Sequence, residues 1–153
     1  MWHDDAVRFL LSSLAFFVFT GLLPCPGSDS TLALLRTLNS DTSEAKRLNA
    51  LSQLEKSGPL EATQILRSIT DTSPAIRAAM VRLGAPLAAG DPELAVRLLA
   101  LANDRTPQVQ RQMLLALPSF TQPEARTAYR KLLETARRSP NTELRAFAQS
   151  LAK

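Results

Sequence analysis

Two chemically versatile residues are almost absent from this chain of 153 residues, which has one cysteine, Cys25, and one histidine, His3. A single cysteine excludes an internal disulfide, a Cys-x-x-Cys redox pair and a Cys-x-x-Cys-His haem attachment. A single histidine excludes a metal site built on several histidines and leaves no His-Glu zinc motif. Nor does it leave a serine nucleophile with a histidine base, and the five glycines form no phosphate-cradling loop. Aromatic residues make up only 5% against 45% hydrophobic residues, so the core must be filled by Leu, Ala, Ile, Val and Met. No stretch alternates apolar and polar residues with β-branched enrichment, so strands are not expected. No cofactor and no catalytic residue is read from the sequence.

Eighteen basic residues stand against fourteen acidic ones, a net charge of +4. That balance permits an anionic partner without demanding one. The charges are unevenly spread, and none falls between Arg8 and Asp29. The apolar run Phe9–Phe19 continues to Leu23 and meets the breaker Pro24-Cys25-Pro26-Gly27. Residues 1–28 are therefore read as a leader, either a signal segment or a short membrane anchor through residues 9–23. Export or membrane anchoring is preferred over a cytoplasmic location. The competing reading makes Asp5-Ala6-Val7-Arg8 and the residues after it the second helix of a truncated first repeat.

What the rest of the chain has is a recurring phrase. Asp41-Thr42-Ser43 leads to Arg47, Asp71-Thr72-Ser73 to Arg77, and Asp104-Arg105-Thr106 to Val109-Gln110-Arg111; a fourth copy runs from Ser139 to Leu144-Arg145. The copies are offset by 30, 33 and 35 residues, a period that marks stacked helical units. Helix starts are signalled by a capping residue before proline at Ser73-Pro74, Asp91-Pro92, Thr106-Pro107 and Ser139-Pro140, with weaker signals at Gly58-Pro59 and Gln122-Pro123. Between them apolar residues recur at helical spacing, as in Ala62, Ile65, Leu66 and Ile69 or Leu94, Leu98, Leu99 and Ala102. The expected fold is all-α: eight helices near 29–39, 42–55, 59–70, 73–84, 92–103, 106–117, 123–138 and 141–152. These form four antiparallel pairs (29–55, 59–84, 92–117, 123–152), stacked as an α-solenoid.

With its turn aspartate and an arginine six positions on, residues 29–153 resemble the HEAT-repeat family. Asp41 with Arg47 and Asp71 with Arg77 fit the family phrase; Asp104 is followed by Gln110, and Ser139 precedes Arg145. The resemblance implies a structural ladder between successive repeats, built here by Asp41, Arg47, Asp71, Arg77, Asp104 and Arg145. It implies an interaction or scaffold module, binding a protein partner on a curved surface lined by second helices, with Lys46, Gln53, Arg82, Gln108 and Gln112 among its polar positions.

One helix is markedly basic, with Arg126, Arg130, Lys131, Arg137 and Arg138 against Glu134. This is a candidate anion surface, and DNA glycosylases of HEAT-like build supply a precedent for backbone-phosphate contact. Without interleaved aromatic residues for base stacking, nucleic acid ranks below protein as the partner. The resemblance also leaves room for an accessory repeat of an exported haem or quinone dehydrogenase, or of a bilin lyase-like protein. The last helix keeps Leu144, Phe147 and Leu151 apolar, which suggests an exposed apolar flank there.

Overall fold

The computed structural model describes residues 26–151, with side chains from Asp29. The readings placed on the leader, including its signal or anchor role and those of His3 and Cys25, lie outside the described residues. Among the described residues there are eight α-helices and no strand. They are α1 (Pro26–Ser40), α2 (Glu44–Ser57), α3 (Ala62–Ser68), α4 (Pro74–Gly84), α5 (Pro92–Ala100), α6 (Pro107–Ala116), α7 (Pro123–Arg137) and α8 (Thr142–Ser150). Short 3-10 turns extend α5 over Leu101–Asn103 and α6 over Leu117–Ser119. No described helix is long and apolar enough to cross a membrane.

Several helix starts follow from the capping residues, and three differ from the sequence reading. Asp91 caps α5 by accepting the Leu94 N–H at 2.9 Å, and Ser73 Oγ caps α4 from Ile76 N–H at 3.4 Å. Thr106 stands at the N-cap of α6 but makes no capping bond, because its hydroxyl is engaged by Asp104 and Arg77. Ser139-Pro140 does not open α8. Asn141 does, accepting the Leu144 N–H at 2.8 Å, while Ser139 stays in the turn. Gly58-Pro59 likewise does not open α3. Gly58 terminates α2 at φ 148°, a conformation reserved for glycine, and α3 starts at Ala62 behind a Glu61 N–H bond to Gln64 Oε1 of 3.0 Å. At the other end Pro26-Gly27 does not break the chain but begins α1, since proline is tolerated in the first helical turn.

The helices pack on their neighbours in two series. Among second members of the pairs, α2 lies on α4, α4 on α6 and α6 on α8; among first members, α1 lies on α3 and α3 on α5. The α5 side reaches α7 through the 3-10 turn at Leu101–Asn103. Apolar stripes meet between the series to form one core, in which Ile65, Ile76, Met80, Leu94, Leu98, Val109 and Met113 are fully buried. Each such side chain contributes about 1.5–3 kcal/mol by leaving water.

Equivalent positions show how one pair covers the next. Ten residues past the start of each phrase stand Leu51, Val81 and Leu114, all buried. In the last pair this place is taken by Gln149, which is exposed. The flank of α8 is thus less apolar than its sequence suggested. Leu144 is buried and the Arg111 guanidinium lies 4.9 Å over the ring of Phe147.

Gly84, at the end of α4, lies against two neighbouring helices. A Cβ there would stand 3.0 Å from Leu98 Cδ1 and 3.2 Å from Ile65 Cγ2. Ala85 onwards turns toward α5, so the contact fixes the approach of three helices. Gly84→Val should lower stability by about 1–3 kcal/mol through overpacking, despite valine's better helix propensity, as read from urea denaturation.

Candidate functional site

The recurring phrase folds into the same turn four times. In the first three copies the aspartate carboxylate accepts the backbone N–H two residues on: Asp41 from Ser43 at 2.8 Å, Asp71 from Ser73 at 2.7 Å, Asp104 from Thr106 at 2.8 Å. Short polar side chains favour such turns because they replace a backbone acceptor. In the fourth copy Ser139 Oγ does the same for the Asn141 N–H at 3.2 Å, without the charge.

A second bond locks each turn to its own helix. Six residues after the phrase begins, Arg47 Nη1 donates to Asp41 O at 2.9 Å and Arg77 Nη1 to Asp71 O at 2.8 Å. Gln110 Nε2 donates to Asp104 O at 2.8 Å, and Arg145 Nη1 to Ser139 O at 2.8 Å. Glutamine therefore preserves the bond within the pair.

Only arginine also reaches the next pair. Arg47 grips Asp71 as a fork, Nε to Oδ2 and Nη2 to Oδ1, both at 3.0 Å, and touches Thr72 Oγ1 at 3.2 Å. Arg77 Nε meets Asp104 Oδ2 at 2.8 Å, with Nη2 on Thr106 Oγ1 at 3.2 Å. These side chains are only 10–16% exposed, so the pairs are largely shielded from water. Paired geometry of this kind is strong and specific because the planar guanidinium matches a carboxylate. Between the third and fourth pairs Gln110 and Ser139 replace both partners, and no such link forms between them.

Burial pushes the Asp104 carboxyl upward, but hydrogen bonds from the Arg77 and Thr106 side chains and from the Thr106 backbone N–H, with the Arg77 charge, outweigh it. The net result lies below the ordinary 3.8.

Other bonds that the phrase did not announce also join the pairs. Ser73 Oγ donates to Glu44 Oε1 at 2.5 Å, and Ser68 Oγ to Asn39 Oδ1 at 3.0 Å. Arg82 on α4 meets Glu55 on α2 at 2.8 Å, so this expected surface position is engaged between helices. Lys46 lies 3.7 Å from Asp41 at 70% exposure, and Gln53 and Gln108 are exposed. Gln112 is half-buried.

The basic helix α7 does not form one surface. Arg126, Arg130 and Arg137 project into solvent on one stripe. Lys131 and Arg138 instead face a cleft beside the third junction together with Arg105, which sequence reading did not single out. Arg138 is paired with Glu134 at 2.7 Å. A second hollow of about 490 Å³ lies between α5 and α7, floored by Val96, Leu99, Ala102 and Ala128 and rimmed by Glu124 and Lys131. Val96 is 63% exposed there.

Comparison with protein-family models, characterised proteins and solved structures finds no match to this chain.

The lowered carboxyl of Asp104 gives a pH dependence with a definite sign. Its depressed folded-state value stabilises the fold above the unfolded value near 3.8 and is lost as pH falls through the lower folded one. Wild type should thus exceed Asp104→Asn in urea midpoint at pH 7, with the gap shrinking as pH drops below about 4. The vacant third link gives a complementary expectation. Gln110→Arg with Ser139→Asp should raise stability by about 1 kcal/mol, more than the sum of the single changes, in a double-mutant cycle read by chemical denaturation.

Proposed function

We propose that the described chain is a short α-solenoid of the HEAT type that works as a non-catalytic protein-interaction module. The fork between successive turns and the serial contacts of helices support the solenoid reading, because each pair leans chiefly on its neighbours. Largely buried arginines and aspartates of the phrase are engaged in joining pairs, which is a structural use of charge.

The observation that carries the interaction reading is the hollow between α5 and α7. It combines an apolar floor, including a valine 63% exposed, with a charged rim. Desolvated apolar centres with polar edges are how protein surfaces bind other proteins. The hollow lies where α7 packs against the Leu101–Asn103 turn that follows α5. On this reading the partner would dock on the first-helix side, whereas the sequence pointed to a surface lined by second helices. A second reading, phosphate-backbone binding by α7, draws on the exposure of Arg126, Arg130 and Arg137.

The two readings separate by variant. Tagged wild-type chain and two variants, Val96→Asp and Arg126→Glu with Arg130→Glu, should be compared by capture from the native host and by retention on duplex DNA. Protein capture lost by Val96→Asp alone is the expected result. Salt-sensitive duplex retention lost only in the arginine variant would establish the second reading, and unchanged capture in Val96→Asp would overturn the first.

A further inference from the structure

The first and third junctions offer a direct comparison at equivalent places in the fold. At the first, a cleft of about 330 Å³ is lined by Asp41, Arg47, Arg67 and Asp71, two guanidiniums against two carboxylates. At the third, the cleft enlarges to about 580 Å³. It is lined by Gln110 and Ser139 in place of the fork, and by Arg105, Lys131 and Arg138 against the single carboxylate of Glu134. Glu134 is itself held by Arg138. Arg105 and Lys131 are therefore left without a facing acid in the cleft. Asp104 does not compensate them, because its carboxylate is bound by Arg77 and Thr106 toward the second junction.

The fold's own occupant of this position at the other two junctions is a carboxylate, that of Asp71 and of Asp104. We propose that the cleft at the third junction takes an acidic side chain from a partner protein, supplying in trans the carboxylate that Ser139 lacks. Lys131 lines both this cleft and the apolar hollow between α5 and α7, so one extended segment could fill the hollow and place a Glu or Asp against Arg105 and Lys131. The Ser139 and Thr135 hydroxyls add neutral hydrogen-bonding groups to the lining. Both cations are exposed, so the contribution is screened by salt and acts on specificity as much as on affinity.

This inference rests on the interaction-module reading, but it is tested without a native partner. The full chain should be titrated with a synthetic hexaglutamate peptide at low and high salt, following backbone amide shifts by NMR. Wild type should show saturable shifts centred on Arg105, Gln110 and Ser139 that weaken with salt. Arg105→Glu with Lys131→Glu should weaken binding at least tenfold. Ser139→Asp, a small change that places the fold's own carboxylate in the cleft, should do the same. Arg126→Glu with Arg130→Glu, an equal change of net charge outside the cleft, should leave binding within twofold. An equal loss in that control would overturn the proposal by showing general charge attraction. So would unaltered binding in Ser139→Asp, or saturation of the cleft by inorganic phosphate with no response to the peptide. Loss of capture through Val96 is read separately, so failure of the hollow and failure of the cleft remain distinct results.

Discussion

The arginine fork across successive turns is the constraint on which this structure depends. One guanidinium does two jobs: Nη1 closes the turn of its own pair, while Nε and Nη2 hold the carboxylate of the next. Because both partners are largely buried, leaving either one unpaired would place a charge in a poor dielectric. Apolar packing between helices is strong but non-directional, and helices can slide along one another at small cost. The fork is directional, so it sets the register in which the apolar faces meet.

Where the fork is missing, the structure changes character. Gln110 keeps the inner bond and Ser139 keeps the turn, so α6 and α8 retain their local geometry. What disappears is the charge-bearing half of the junction, and an enlarged cleft with excess positive charge lies there. Packing of α6 on α8 and the Arg111–Phe147 contact carry the third junction instead. The chain thus combines two junctions fastened by buried ion pairs with one fastened by packing alone. The hollow between α5 and α7 lies beside this junction, with Lys131 common to both.

Much of this was legible in the residues, for physical reasons. Helix existence follows from apolar spacing such as Leu94, Leu98 and Leu99, and three of the starts from proline at the first turn of α4, α5 and α6. The six-residue interval of Asp71 and Arg77 was visible too, whereas the partner of each arginine depends on how pairs stack. Short-range signals misled where two residues compete for one role. Ser139-Pro140 imitates a cap, but Asn141 offers the better acceptor. Gly58-Pro59 imitates a start, but φ 148° at Gly58 belongs to a helix end. Arg105 and the hollow around Val96 carry no periodic signal, because they arise from the meeting of helices far apart in sequence.

The four copies of the phrase differ in spacing, by 30, 33 and 35 residues, yet the interval from turn residue to inner donor is six in every copy. That interval spans a bond that a single inserted residue would destroy by rotating the donor about 100° around its helix. The first helices of the pairs carry no end of that bond and take up much of the variation, with α3 of 7 residues, α5 of 9 and α7 of 15. A residue added between phrase and inner donor would break this bond, whereas the first helix can lengthen by turns without touching it.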